Sequence, residues 1–271
     1  MKTDQLRLWL PDLCQLAQQA GEAIMAVYAS DDFSIEKKGD GTPVTRADKA
    51  ADAVIIAGLR QLTQDIPVVT EETLAEIPFE VRRDWRTCWL IDPLDGTREF
   101  IERTGEFSVN IALVEEGKPV LGVVYGPAMD VLYFGGSAVG AWKQVGDQAM
   151  RIATEVSTHG SRVALSRRHG KKADAFMAKL PPPVTQVHMG SALKTCLVAE
   201  GKADYYPRFG PTSYWDTAAA HAILRAAGGE VVDLYGAPLR YLPTETLLNP
   251  FFIASGRMVS EALLSAARGV H

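Results

Sequence analysis

Apolar residues recur at regular spacings along the first half of the chain. Every third or fourth position from residue 4 to about residue 28 is Leu, Ala, Ile or Val, which predicts an amphipathic helix. Thr45 precedes a second helical pattern, RADKAADAVIIAGLRQL, and Asp48 follows it by three residues as in a capping box. Short apolar runs separated by turn residues then predict an antiparallel meander of strands. These runs are PVV, TCWLI, FSVNIALV, PVLGVVYG and VLYF.

After about residue 155 the pattern changes, and strand-like runs alternate with helical ones. The segments, in order, are RVALS, AFMAKL, VTQVHM, GSALKTCLVAEG, ADYYP and WDTAAAHAILRAAG. We therefore expect an α/β protein with two lobes. Residues 1–154 would form an α+β lobe with an antiparallel sheet, and residues 155–271 an α/β lobe. A cleft between two lobes is a common place for a ligand.

Composition limits the classes of partner. The chain has 271 residues, 47% of them hydrophobic, and a formal net charge of -5, so we expect no nucleic acid polymer as a ligand. A small anionic substrate stays compatible with this charge, because bound divalent cations reverse the local potential of an acidic pocket. The three cysteines form no CxxC pair, which argues against a disulfide framework or a zinc site. We find no apolar run long enough for an integral membrane segment and expect a cytoplasmic location.

The segment WLIDPLDGTREF, residues 89–100, brings two carboxylates close together in the sequence. A buried strand leads into Asp92 and Asp95, which flank Pro93 and are followed by Gly96 and Thr97. Ordinary turns have the same composition, so this segment alone does not establish a chemical role. Gly96 would let phosphate oxygens approach backbone N–H groups, and the Thr97 hydroxyl could orient a metal-bound water.

Further acidic residues follow strands or loops elsewhere in the chain, namely Asp48, Glu71, Glu72 and Asp216. Mg²⁺ prefers oxygen ligands, usually a few carboxylates with waters and phosphate oxygens. Such a shell would be supplied by Glu71, Asp92, Asp95, Asp216 and the Leu94 carbonyl. Each acid also has a simpler explanation: Asp48 as a helix cap, the Glu pair as loop charges, and Asp216 as a partner of a helix dipole.

Four motifs occur together, and their combination resembles a known family. DPLDGT is accompanied by VTRAD and TEE upstream and by WDTAAAH in the second half. This set resembles the signature of the lithium-sensitive, magnesium-dependent phosphatase superfamily of inositol monophosphatases, fructose bisphosphatases and bisphosphate nucleotidases. The segments around GSALK, YPRFGP, PLRY and LNP are most similar to the 3'(2'),5'-bisphosphate nucleotidase branch. The resemblance covers nearly the whole chain and implies the layered sugar phosphatase fold.

The resemblance implies a function and roles for individual residues. It implies that the protein hydrolyses adenosine 3',5'-bisphosphate (PAP) to AMP and phosphate with a metal-activated water, acts also on the sulfated relative PAPS, and serves sulfur assimilation. Two or three Mg²⁺ ions would be held by Glu71, Asp92, the Leu94 carbonyl, Asp95 and Asp216. Asp48 and Thr97 match the pair that activates the water. Predicted substrate contacts are these ligands other than Asp92, together with Gly96, Thr97, His169, Ser191, Lys194 and Arg208.

Several alternatives stay open at this point. An inositol monophosphatase would use the same ions, although Lys194 and Arg208 favour a substrate with a second phosphate. A catalytically silent nucleotide sensor would be expected to have lost Asp48, Asp95 or Thr97, and all three are present. The side chains of Lys194 and Arg208 could also be solvated surface charges that bind no substrate. The oligomeric state and peripheral association with the cytoplasmic face of the inner membrane are left open.

Two further motifs have simpler interpretations. GGSAVGAW has glycines at the spacing of a phosphate-binding P-loop, but Ala141 and Trp142 stand where Lys and Ser or Thr are required, so we predict a turn between strands. His221 lies among apolar residues on a predicted helix, where a buried packing role is the simpler prediction.

Overall fold

The computed structural model describes residues 3–30, 33–37, 43–155, 157–168 and 170–270. Within these ranges, helices and sheets alternate in five layers. Helices α1 and α2 cover the outer face of a seven-stranded sheet, helices α6 and α7 lie between this sheet and a five-stranded one, and α5 and α8 cover the far face of the second sheet. Each interface between layers buries apolar side chains, which is the main favourable term in folding.

The helices follow the apolar spacing of the sequence. They are α1 (Thr3–Tyr28), α2 (Arg46–Leu62), α3 (Phe79–Arg82), α4 (Thr97–Ile101), α5 (Lys171–Met177), α6 (Leu193–Ala199), α7 (Tyr214–Ala226) and α8 (Glu261–Arg268). Short 3-10 turns occur at Leu74–Glu76 and Pro127–Met129.

Fourteen strands lie in the described ranges. They are β1 (Glu36–Lys37), β2 (Pro43–Val44), β3 (Val68–Thr70), β4 (Thr87–Asp95), β5 (Ser108–Glu115), β6 (Lys118–Gly126), β7 (Val131–Gly136), β8 (Gly140–Val145), β9 (Gln148–Arg151), β10 (Ser161–Leu165), β11 (Val184–His188), β12 (Tyr205–Arg208), β13 (Glu230–Asp233) and β14 (Phe252–Ser255). The first two pair with each other.

The seven-stranded sheet has the strand order β3-β4-β5-β6-β7-β8-β9. From β4 onward all neighbours are antiparallel, which confirms the predicted meander. The edge strand β3 instead runs parallel to β4. The reason is the connection between the two strands. After β3 the chain leaves the sheet, passes through α3 and returns as β4, so that β4 runs in the same direction as β3. The P-loop-like segment is the predicted turn, between β7 and β8.

The five-stranded sheet has the order β11-β10-β12-β14-β13. Its first three strands are parallel and its last two pairings are antiparallel. The predicted boundary at residues 154 and 155 falls in the connection between β9 and β10. Helices α6 and α7 from the second half share a core with the first sheet. The α/β class is confirmed, while the division into two lobes stays a prediction.

Close packing fixes the position of α7, which carries Asp216. The backbone of the helix approaches β6 at Gly122, where a Cβ atom would lie 2.1 Å from the carbonyl oxygen of Ala219. Only glycine allows this approach without moving one of the two elements. Among the helices of the described ranges, none has the length and apolar character that a bilayer crossing requires.

Candidate active site

An irregularity in β4 turns two aspartates toward the same side of the sheet. Asp92 pairs with Asn110 and Asp95 pairs with Ser108, so three residue steps on β4 oppose two on β5. Residues three apart on a regular strand point to opposite faces, whereas the extra residue of a β-bulge restores the same face. Asn110 and Ser108 do share a face, since the Ser108 hydroxyl lies 2.9 Å from Asn110 Oδ1. The DPLD sequence is this bulge.

Parallel pairing at the sheet edge adds a third acid. Thr70, the last residue of β3, pairs with Ile91 of β4, and the Glu71 N–H donates to the Ile91 carbonyl at 3.1 Å. The residue that follows each member of this pair is an acid: Glu71 follows Thr70, and Asp92 follows Ile91. Because the carboxyl ends of parallel strands meet at one edge, the two side chains lie close together.

Helix N-termini supply two more acids. Asp48 is the third residue of α2 and accepts a hydrogen bond from the Thr45 N–H at 2.7 Å. Asp216 occupies the same position in α7 and accepts from the Ser213 N–H at 2.9 Å. In both capping boxes one carboxylate oxygen is used locally, so that the carboxyl group is held in a fixed orientation. The interpretation of Asp48 as a helix cap residue is therefore confirmed, while its role in the site stays a prediction.

Three of these acids form a compact cluster. One carboxylate oxygen each of Glu71, Asp92 and Asp216 lies within 4.8 Å of the other two. Burial raises the pKa of Asp92 well above its ordinary value, and repulsion from the neighbouring acids raises it further. Burial and the negative charge of Asp95 raise the pKa of Asp216 in the same way. In the described part of the chain, Glu72 is not part of this cluster.

Asp95 lies beside the cluster and is held by its own partners. Its Oδ2 accepts from the Ala192 N–H at 2.6 Å and from the Asn110 amide at 3.4 Å. Burial raises its pKa to about 6, although the Lys194 charge and these hydrogen bonds act in the opposite direction.

The atoms that face one another in this cluster are carboxylate oxygens. Carboxylate oxygens of Glu71, Asp92 and Asp216 face one another at short distance, which is electrostatically unfavourable without a positive charge between them. Hard cations such as Mg²⁺ take oxygen ligands of this kind. The donor set present therefore fits a divalent metal.

Asp48 and Thr97 are in contact across the site. The Thr97 hydroxyl lies 3.3 Å from Asp48 Oδ1 and 3.4 Å from the Leu94 carbonyl oxygen. The other Asp48 oxygen accepts from the Thr45 hydroxyl at 2.7 Å. A buried carboxylate thus faces a hydroxyl that begins α4, directly after the bulge that carries Asp92 and Asp95.

A cavity of about 330 Å³ opens beside the acids and is lined by predicted substrate residues and by basic side chains. Of the predicted residues it contains Asp95, Gly96, Ser191, Lys194, Arg208 and Asp216. Lys194 is only 5% exposed, donates to the Ser191 carbonyl at 2.6 Å and lies 5.2 Å from the centre of the Tyr206 ring. It is therefore not a solvated surface charge. His169 lies outside the described residues.

Sequence reasoning missed several residues of this cavity. Arg98 and Arg168 add positive charge, and Tyr206 adds an aromatic face. Both arginines lie next to residues that were predicted, Thr97 and His169, and their charge was the available signal. Asn110, which donates to Asp95 and does not line the cavity, was also missed, although a lone amide inside the apolar run FSVNIALV is an indication of a buried polar role.

The conformation of Gly96 gives a first testable prediction. This residue has φ of +91°, a region that L side chains rarely adopt. We expect Gly96→Ala to lower the free energy of unfolding by about 1–2 kcal/mol and to reduce activity. Gly146→Ala is the matched control, because Gly146 also has a positive φ of +54° but has no heavy atom near its missing Cβ. Denaturant unfolding and kcat of both variants check this; equal activities would contradict a role for the Gly96 backbone in the site.

Comparison with known proteins places the chain in a family. The chain is 48% identical over 254 residues to 3'(2'),5'-bisphosphate nucleotidase CysQ of Escherichia coli (strain K12), covering 91% of this chain and 99% of the relative. The crystal structure of CysQ from Bacteroides thetaiotaomicron has a TM-score of 0.78 and 41% identity, covering 89% of this chain and 95% of the other. Inositol monophosphatase from Anabaena (Nostoc) sp. PCC 7120 has a TM-score of 0.76 and 25% identity, covering 99% and 98%. The family model described as "Inositol monophosphatase family" matches residues 6–270, so the chain belongs to the inositol monophosphatase family.

Proposed function

We propose that this protein is a Mg²⁺-dependent phosphatase that hydrolyses adenosine 3',5'-bisphosphate to AMP and phosphate, and PAPS to APS. The observation that carries the proposal is the position of the acidic cluster next to a cavity lined by Arg98, Arg168, Lys194 and Arg208. The metal-binding part fits a phosphate ester, and the surrounding cations fit a substrate with more than one anionic group. The bisphosphate nucleotidase relatives, 48% identical in the case of Escherichia coli (strain K12), support this substrate class.

The metal ligands of the proposal are the acids described above. Glu71, Asp92, the Leu94 carbonyl, Asp95 and Asp216 would hold two or three Mg²⁺ ions. When bound, these ions would supply positive charge that lowers the pKa of a water molecule and neutralises charge on the phosphate. Asp92 would be the central ligand, because its pKa is affected by Glu71, Asp95 and Asp216 as well as by burial.

Asp48 and Thr97 would prepare the attacking water. The Thr97 hydroxyl donates to Asp48 Oδ1, so the lone pairs of the Thr97 oxygen remain available to accept a hydrogen bond from the water. The water proton can then pass by way of Thr97 to Asp48 while the water oxygen bonds to phosphorus and the ester P–O bond on the opposite side breaks. The departing nucleotide oxygen takes up a proton from solvent and becomes a hydroxyl of AMP. The bonds from Thr45 hold the Asp48 carboxylate still during this transfer.

Substrate choice would depend on the cavity. The residues that line it come from two parts of the chain, 95–99 and 166–217. The first part lies in one proposed lobe, residues 1–154, and the second in the other, residues 155–271, which supports a ligand site between the lobes. Gly96, Thr97 and Ser191 would contact the scissile phosphate and its sugar, and Lys194 and Arg208 the second phosphate. An inositol monophosphate lacks the second phosphate, so it would leave these cations without a partner.

Phosphate release from two substrates tests the proposal. With Mg²⁺ present, we expect kcat/KM for adenosine 3',5'-bisphosphate to exceed that for inositol 1-phosphate by at least about a hundredfold, since two charge-assisted contacts would be lost. Arg208→Gln should lower kcat/KM for the nucleotide and leave the inositol ester nearly unchanged. A preference for inositol 1-phosphate would instead identify the protein as an inositol monophosphatase. Nucleotide binding without phosphate release would identify a silent sensor.

A further inference from the structure

A short strap crosses the N-terminus of α7 next to the acidic cluster. The strap is the segment 247–249, which pairs antiparallel with residues 212–214. The Tyr214 N–H donates to the Leu247 carbonyl at 2.9 Å, and the Asn249 N–H donates to the Thr212 carbonyl at 2.9 Å. These bonds attach the strap to the residues that lead into α7, immediately before Asp216.

The Asn249 side chain connects the strap to the first turn of α7. Its amide nitrogen lies 2.6 Å from the Ser213 carbonyl oxygen, 3.0 Å from the Thr217 hydroxyl and 3.2 Å from the Thr212 hydroxyl. A carbonyl oxygen can only accept, so the NH₂ group of the amide must face Ser213. One amide thus joins residues on both sides of Asp216 in the chain.

Thr217 is supported from the opposite direction as well. The Tyr241 hydroxyl lies 3.2 Å from the Thr217 hydroxyl and 2.9 Å from Nδ1 of His221, which is 1% exposed. His221 also contacts Glu230 through its other ring nitrogen. The buried histidine therefore has a satisfied packing role, as predicted, and Thr217 lies between this network and the Asn249 amide.

A fixed helix start matters because Asp216 lies among like charges. Its carboxylate is close to Glu71 and Asp92, and Asp95 repels it as well. When these carboxylates are ionised and no cation is bound, repulsion of this kind pushes the first turn of α7 away from the other acids. Mg²⁺ demands near-ideal octahedral geometry, so a displaced ligand weakens its binding.

We propose that Asn249 is a positioning residue that holds the first turn of α7 and thereby sets the affinity of the site for a divalent cation. The inference rests on the metal assignment of the proposed function and extends it to a residue outside the cavity. Groups that orient metal ligands typically contribute about 10–100-fold to metal affinity. The contribution of Asn249 should therefore appear in metal binding more than in the rate at saturating metal.

Calorimetric titration with Mn²⁺ or Mg²⁺ alone, without substrate, tests the proposal in Asn249→Ala. We expect the dissociation constant to rise by at least roughly tenfold. In turnover assays the Mg²⁺ concentration for half-maximal rate should rise by a similar factor, while kcat at saturating Mg²⁺ stays within a few-fold of wild type. Asn249→Ser keeps one hydrogen-bond donor, so its dissociation constant for the metal should lie between those of the wild type and Asn249→Ala. If Asn249→Ala does not fold, Asn249→Ser carries the same test.

Thr63→Ala is the matched control. Thr63 is also buried, and its hydroxyl accepts from Trp89 Nε1 at 2.9 Å, but it directly follows the C-terminus of α2, about 25 Å from Thr45 by helix length. This variant should lose stability without losing metal affinity. Unchanged affinity in both Asn249 variants, or an equal loss in Thr63→Ala, would overturn the positioning role. Absence of metal binding by the wild-type protein would instead contradict the proposed function itself.

Discussion

Asp95→Asn is expected to fold normally and to lose nearly all turnover. The Asp95 side chain accepts hydrogen bonds from the Ala192 N–H and the Asn110 amide, and an Asn oxygen can keep the first of these. The substitution removes the negative charge that would bind a cation and orient the phosphate. Loss of an electrostatic element of this kind commonly costs on the order of a hundredfold or more in rate. The measurement is kcat with saturating Mg²⁺ and adenosine 3',5'-bisphosphate.

The control for this prediction is another neutralised carboxylate. Asp147 is exposed in the turn between β8 and β9, and Asp147→Asn changes the net charge by the same amount. We expect it to keep wild-type activity. Circular dichroism and thermal unfolding would establish that Asp95→Asn is folded. Turnover at the wild-type rate in Asp95→Asn would exclude this residue as a metal ligand.

The elements of the first half could be predicted because their apolar patterns are local. The helix from residue 4 to about residue 28 and the capping box at Thr45 appear as expected. The parallel direction of the edge strand β3 could not be predicted from the pattern, since a three-residue strand with two valines carries no signal of strand direction. That direction depends on the connection through α3, which is only four residues long.

The second half was predicted less completely. The alternation of strands and helices was recognised up to α7, but β13, β14 and α8 were not identified. The two strands are four residues long and the helix eight, so each offers too few positions for a periodic pattern. Their apolar faces become recognisable only when the outer core, with Phe176 and Ile253, is assembled.

Contacts within the site could be predicted only in part, because many of them join residues that are far apart in the sequence. Acidic residues in recognisable motifs could be proposed as ligands, and Glu71, Asp92 and Asp216 do meet. The Asn249 amide shows what the sequence hides: its partners lie 32 to 37 residues away, and no spacing rule connects them. The bulge in β4 is an intermediate case, because DPLD indicated a turn while only strand pairing shows that it aligns two carboxylates.

Replacing Asp92 with Asn is expected to stabilise the metal-free protein while abolishing its response to Mg²⁺. Asp92 is 2% exposed, and one of its oxygens accepts from the Leu94 N–H at 3.0 Å, a bond that Asn can keep. Burial and four neighbouring acids raise the pKa of Asp92 well above its ordinary value. An amide at this position carries no charge to bury, so we expect the free energy of unfolding of the metal-free variant to exceed that of the wild type at pH 8.

The direction of the pH dependence follows from the pKa of Asp92, which is higher in the folded, metal-free chain than in the unfolded chain. As pH rises above about 4, the unfolded wild-type chain releases the Asp92 proton while the folded, metal-free chain still holds it. The wild type therefore loses stability as pH rises through the higher folded-state pKa, whereas the amide introduced by Asp92→Asn does not titrate. Carboxyls outside the acidic cluster, such as Asp204 with its lowered pKa, titrate alike in both proteins and cancel in the difference.

Thermal unfolding with a chelator between pH 4 and pH 8 measures this difference. We expect the melting temperatures of wild type and Asp92→Asn to converge near pH 4 and to separate toward pH 8, with the variant higher. Added Mg²⁺ should raise the melting temperature of the wild type and reverse the order, since a ligand that binds only the folded state stabilises it. A metal-free variant less stable than wild type at pH 8 would mean that the clustered acids do not repel one another, and the argument for a cation between them would fail.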